Sequence, residues 1–229
     1  MLGMLLSTAL LGTGTPVTDT TLIPDLPLVE ARAPGPSRTL AILWSGDGNW
    51  ASFVHDLTRE LNARGIPVVG LKSRAYLTGP PPKNPERAGR DLALLLRAYL
   101  TAWGADSALL IGYSRGADLL PFAVSRLDPE LRQRIEVLAL ISPSVNASFE
   151  FHWRDLVSNQ RRASDLATLP EVRKLRDLSM LCIYGTEDGS ALCPTAEPGL
   201  LQTVARASGH HMDDPAGIAD LLLAALARR

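Results

Sequence analysis

Short, wholly apolar runs alternate along this chain with longer stretches in which apolar residues recur every three or four positions. Thr39–Trp44 (TLAILW) is the first clear run, and the glycine-rich SGDGN after it reads as a turn. Trp50, Phe53, Val54, Leu57 and Leu61 then share one face of a helix, which Gly65 ends. Ile66–Leu71 is the next strand, and KSRAYLTGPPPKNP over 72–85 reads as a polar, proline-rich loop. Leu92, Leu95, Leu96, Tyr99, Leu100 and Trp103 fall at helical spacing. Ser107–Gly112 is a strand, and Arg115–Arg126 a helix in spite of Pro121. Ile135–Ser142, Met180–Tyr184 and a short Gln202–Ala205 complete the strands. Ile218, Leu221, Leu222, Ala225 and Leu226 predict a closing amphipathic helix. Ahead of this core, 16–38 is rich in Pro, Thr and Gly and reads as a tether with one edge strand near Leu26–Ala31.

Strands alternating with helices imply parallel βαβ units, that is, an α/β fold with a mostly parallel sheet and helices on both faces. Ligands in such sheets bind at the carboxyl ends of the strands, so the loops there carry the chemistry. A length of 229 residues suits one such domain, over 26–229, preceded by a signal or tether over 1–25. Charge narrows the partners: 23 basic against 24 acidic residues leave no excess to hold a polyanion, so nucleic acid is not expected. With 46% hydrophobic and 21% charged residues, wholesale disorder is excluded. No apolar run reaches the roughly 18 residues of a spanning helix. Met1–Thr15 (MLGMLLSTALLGTGT) has the apolar, small-residue character of a secretory signal, although the first basic residue is Arg32. Export is therefore expected. Two cysteines are too few for a disulfide scaffold but leave room for one bridge, Cys182 with Cys193.

The strongest chemical signal is Gly112-Tyr113-Ser114-Arg115-Gly116, directly after an apolar strand and opening a helix. A tight strand-to-helix turn lifts the serine hydroxyl out of the sheet, and the flanking glycines remove side chains that would collide there. A serine nucleophile needs a base and an orienting carboxylate, in the chain order Ser, acid, His. His55 lies before the nucleophile in a predicted helix, and His152 in a polar irregular stretch, so neither is favoured. His210 and His211 follow the last strand in SGHHMDD, and His211 is preferred as the base. The acid belongs in GTEDGS after Met180–Tyr184, where Asp188 is preferred over Glu187. An oxyanion hole needs two donors. The backbone N–H of Arg115 is one, and the other comes from SGDGN, where Gly46 and Gly48 flank Asp47. No G-K-[ST] follows SGDGNW, which excludes a phosphate-binding P-loop. The histidines and cysteines lack zinc-ligand spacing, so no metal and no organic cofactor is expected.

Taken together, SGDGNW, GYSRGADLLP, CIYGTEDGSALC and GHH make the chain resemble the bacterial virulence protein VirJ and the related C-terminal domain of AcvB, from about Leu26 to the end. The resemblance implies an α/β-hydrolase fold without a large lid domain, a periplasmic or otherwise exported protein, and Ser114 as nucleophile. It also implies pairing of Cys182 with Cys193. AcvB-like members hydrolyse aminoacylated phosphatidylglycerol, notably the lysyl form, and VirJ is linked to type IV secretion. The implied activity is carboxylic ester hydrolysis, with an aminoacyl-lipid substrate, contact with a membrane surface and a secretion-system component as expectations. A non-catalytic binding protein on the same scaffold is the alternative. The chain departs from the family at Asn49, where a second glycine is common, and at Arg115, where a bulky apolar residue is common. For a lysyl lipid, a carboxylate should lie near the acyl pocket and cations near the phosphate. Asp47 and Asp118 are the candidate carboxylates, and Lys72, Arg74 and Arg115 the candidate cations. Asp118 has a second reading, as a brace of the serine turn.

Overall fold

The computed structural model describes residues 21–151 and 162–228; the signal-like start and His152 lie outside the described residues. Seven strands form one sheet: β1 (Leu28–Ala31), β2 (Thr39–Trp44), β3 (Val68–Leu71), β4 (Ser107–Tyr113), β5 (Ile135–Ile141), β8 (Met180–Gly185) and β9 (Gln202–Arg206), in the spatial order β1-β3-β2-β4-β5-β8-β9. All neighbours are parallel except β1, which pairs with β3 antiparallel at one edge. A separate antiparallel pair, β6 (Asn146–Ala147) and β7 (Leu166–Ala167), lies between β5 and β8 in the chain.

The continuous apolar runs have a simple cause: both faces of the sheet are covered. Leu40, Ile42 and Trp44 of β2 point into one apolar layer, and Ala41 and Leu43 into the other. β4 repeats this with Ala108 and Leu110 against Leu109 and Ile111. The first layer is closed by α3 (Pro85–Trp103) and α4 (Arg115–Val124), the second by α1 (Ser52–Ala63) and α7 (Pro215–Leu226). Caps fix the ends of α3: the Asn84 side chain accepts from Arg87 N at 2.8 Å, Pro85 takes the first position, and Gly104 turns left-handed at φ 65°. Every residue of α4 is buried, so it lacks the polar stripe of a surface helix.

One segment differs from the sequence reading. Within the expected 72–85 loop, Ser73–Thr78 forms a helix, α2, whose Tyr76 and Leu77 are buried in the core. Six residues are too few for an apolar period to stand out beside four prolines. Two further short helices, α5 (Pro129–Arg132) and α6 (Thr168–Arg173), also escaped the pattern. Cys182 in β8 and Cys193 in the turn beyond it are joined by a disulfide, with Cα atoms 5.8 Å apart. Among the described residues no helix is long and apolar enough to cross a membrane.

Candidate active site

Four loops meet at the carboxyl ends of the strands. They follow β2, β4, β8 and β9, and each brings one expected element of the chemistry. The turn from β4 into α4 is sterically forced. A Cβ on Gly112 would lie 2.5 Å from Ala117 Cα, and one on Gly116 would lie 2.1 Å from the Trp44 carbonyl oxygen. Only hydrogen fits at either position. Between them Ser114 adopts φ 51°, ψ −119°, a conformation costly for any residue with a side chain. Its amide donates to Ile141 O at 2.8 Å, which ties the turn to the end of β5.

The histidine and carboxylate that face Ser114 come from the loops after β9 and β8. Ser114 Oγ lies 2.8 Å from His210 Nε2, and His210 Nδ1 lies 2.7 Å from Asp188 Oδ2. The Asp188 side chain is 5% exposed, so its charge must be met by hydrogen bonds. Ser190 donates to Oδ1 from its backbone at 2.9 Å and from its hydroxyl at 2.7 Å. Burial alone would raise the Asp188 carboxyl; the Ser190 and His210 hydrogen bonds outweigh it and hold the group below the ordinary range. An ionised Asp188 can only accept, so Nδ1 carries the proton facing it. Nε2 is then left to accept the Ser114 hydroxyl.

This geometry corrects the preferred histidine. His210, and not His211, stands between Ser114 and Asp188. His211 is exposed, and its ring meets that of His210 edge-on with centroids 5.8 Å apart. Adjacent residues of an irregular loop point different ways, and what selects His210 is where β9 ends. Gly185 brings that loop close, because a Cβ there would lie 2.0 Å from Gly209 O and 2.3 Å from Ser208 O. Glu187 is exposed and its amide donates to Ser208 O, so it holds the loop rather than the imidazole. His55 pairs with Asp56 on the exposed face of α1.

The β2 loop reaches Ser114 from the other side. A Cβ on Gly46 would sit 3.2 Å from Ser114 Cβ and 3.6 Å from Oγ, so this backbone runs at contact distance from the serine. Asn49 closes the turn by donating its amide to Gly46 O, at φ 56°. That left-handed conformation accounts for a glycine being acceptable at this position. Two bonds from α2 hold the loop: Ser73 N donates to Ser45 Oγ at 3.0 Å, and Ala75 N to Asn49 Oδ1 at 3.0 Å. The helix missing from the sequence reading is thus the brace of this loop.

The expected charge contacts divide. Asp47 and Arg115 form an ion pair at the cleft, with Arg115 Nη2 3.1 Å from Asp47 Oδ2. Asp118 is buried, lines the same cleft and accepts from Ser144 N at 2.6 Å, a bond that fits the brace reading. Burial raises its carboxyl well above the ordinary value, against the opposing Ser144 hydrogen bond and the Arg115 charge. Lys72 and Arg74 do not line the cleft. The cleft itself is about 550 Å³. Phe53, Val54, Tyr113 and Met212 form an apolar wall, with the Phe53 and Tyr113 rings 4.6 Å apart. Asp47, Arg115, Ser144 and Ser190 line the polar side. Among the described residues no group of His, Cys, Asp and Glu is arranged to hold a metal ion.

Comparison with known proteins places this arrangement. The profile described as bacterial virulence protein (VirJ) matches residues 38–229. The chain belongs to the VirJ family. A search of curated proteins finds no match. Among solved structures, a candidate dienelactone hydrolase from Klebsiella pneumoniae superposes with a TM-score of 0.63 at 16% identity, covering 89% of this chain and 93% of that one. Est1E from Butyrivibrio proteoclasticus gives 0.59 at 11% identity, with 88% and 96% covered. Carboxylesterase CesB from Bacillus subtilis gives 0.58 at 14% identity, with 88% and 87% covered. The fold is the α/β-hydrolase fold.

Proposed function

We propose that this VirJ-family protein is a serine hydrolase that cleaves carboxylic esters. One observation carries the reading: the continuous Ser114–His210–Asp188 hydrogen-bond chain, with its serine at a strained turn beside the β2 loop. His210 takes the Ser114 proton as the hydroxyl oxygen attacks the ester carbonyl. Asp188 stabilises the imidazolium that results. The oxyanion is met by the Arg115 amide at the N-terminus of α4 and by an amide of the Asp47–Gly48 segment. The intermediate collapses as His210 returns the proton to the leaving alcohol. Water repeats the cycle to release the acid and regenerate Ser114.

The finer reading is an aminoacyl ester of an anionic phospholipid, lysyl-phosphatidylglycerol being the first to test. What supports it is the family resemblance and a cleft with both charge signs beside an apolar wall. Asp47 and Asp118 are the carboxylates that line the cleft, the first paired with Arg115 and the second bonded to Ser144 N. An exported location accords with the disulfide, since such bonds persist in oxidising compartments. Work at a membrane surface and association with a secretion apparatus belong to the same proposal. A fluorophosphonate probe should label Ser114 and no other serine. Incubation with bacterial lipids, read by mass spectrometry, should release lysine from lysyl-phosphatidylglycerol faster than acid from a neutral acyl ester of the same lipid. An unlabelled Ser114 would favour a binding protein on a hydrolase scaffold. Hydrolysis of simple esters with an intact lysyl lipid would keep the hydrolase and remove the lipid.

A further inference from the structure

We infer that the Asp47–Arg115 side-chain pair is a positioning clamp for the oxyanion hole. The inference rests on the ester-hydrolase reading above and concerns how its transition state is held. The coincidence that motivates it is structural. The two loops expected to supply the oxyanion donors come from different βα units, the first after β2 and the second after β4. The residues at their meeting point are also the two whose side chains join. Arg115 Nε lies 3.2 and 3.3 Å from the two Asp47 carboxylate oxygens, and Nη2 lies 3.1 Å from Oδ2.

Three features separate a clamp from an ordinary ion pair. First, the pair is sheltered, with side chains 7% and 21% exposed, so water and salt weaken it less than a surface pair. Second, a planar guanidinium facing both carboxylate oxygens fixes orientation as well as distance. Third, the partners differ in stiffness. Arg115 opens a wholly buried helix, whereas Asp47 sits in a turn made of SGDGN. The buried helix therefore sets the place of the loop residue. Oxyanion donors act only if already aimed at the position where charge develops, and a displacement of about 1 Å can cost about 100-fold in rate. Holding the β2 loop against α4 defines that spacing. On a neutral ester the clamp binds neither substrate nor oxyanion through its charged groups, so Asp47 and Arg115 act there as positioning residues.

The test is a double-mutant cycle with Asp47→Asn, Arg115→Gln and the double variant, assayed on a small neutral ester. Active sites are counted by fluorophosphonate labelling so that misfolded protein is not scored. Each single variant should lose about 10- to 100-fold in kcat with KM within about threefold. The double variant should lose no more than the worse single, because the interaction can be broken only once. Affinity for a boronic acid, which takes the tetrahedral form on Ser114, should fall in step with kcat. Arg115→Lys should rescue only partly, since it keeps the charge and loses the fork. Singles within twofold of wild type in kcat, losses confined to KM, or singles that multiply in the double would each overturn the clamp. A wild-type protein inert to esters and unlabelled by the probe would instead remove the hydrolase reading, and the clamp with it.

Discussion

The serine turn and the acid–histidine loops meet at one candidate site but are held in place by different means. β4 lies between β2 and β5 in the middle of the sheet and is buried along its length. Ser114 is fixed there mainly by exclusion, through glycines that admit no side chain, a neighbouring backbone at contact distance and a helix with no exposed face, with one backbone bond to Ile141 O. β9 is the edge strand, paired only with β8 and largely exposed. The acid and histidine loops here are held by specific ties: the Glu187 amide to Ser208 O between them, and in the acid loop the Ser190 bonds to Asp188 and a disulfide from β8 to the turn beyond the acid. Where packing is complete, shape supplies most of the constraint. At an edge, covalent and hydrogen-bonded ties do the same task.

The sharpest way to probe the central side is to separate chemistry from strain. Ser114→Ala should lower kcat by about 10⁶-fold with the melting temperature almost unchanged. Ser114→Gly should be as inactive yet more stable than Ser114→Ala by about 1 kcal/mol, because glycine accepts φ 51° freely. Equal melting temperatures for the two would mean that the turn stores no strain. On the edge side, His210→Ala should approach the Ser114→Ala loss, while His211→Ala should stay within about tenfold of wild type. Steady-state kinetics in the reverse order would show that the β9 loop rearranges when substrate binds.

Smaller effects test the ties themselves. The disulfide spans 11 residues, and replacing both Cys182 and Cys193 with Ala should cost about 2–3 kcal/mol in urea unfolding. The loss should fall on the edge, so amide exchange should accelerate at β9 and the 186–192 loop before β4. Uniform acceleration would erase the distinction between the two regions. Smallest is a pH effect at the centre. The Asp118 carboxyl is raised by burial. From about pH 4 up to that raised value, the folded protein holds a proton that the unfolded chain has released, so stability falls as pH climbs through the window. Asp118→Asn keeps an oxygen for Ser144 N and should flatten this slope in thermal melts. An unchanged slope would assign it to another group.

The same contrast explains what could be read without coordinates. The sheet strands were legible because burial on both faces writes itself as apolar runs. Ser114 was legible because its constraints are local: a strand, two glycines and a helix start within a few residues. The histidine was not. His210 and His211 are chemically identical neighbours, and the choice between them depends on Gly185 meeting Gly209, a contact across two strands. Asp118 was read as either a substrate contact or a brace for a similar reason, since its partner Ser144 lies beyond a whole βα unit. The α2 helix was hidden by its shortness and by the prolines that follow it, and with it the support for Ser45 and Asn49. The role of Ser190 could have been found by noting a hydroxyl two residues past the acid, within reach of its carboxylate.

The position of β9 as the last strand also sets the order in which this site comes into being. A chain delivered from its N-terminus presents Ser114 and its strained turn early, when β2, β4 and β5 are sufficient to frame them. The imidazole arrives only with the final strand and the helix α7 that follows. Through synthesis, or threading across a membrane, the serine is therefore an unactivated alcohol. On the proposed mechanism, hydrolytic capacity would appear in one late step, as the closing βα unit docks.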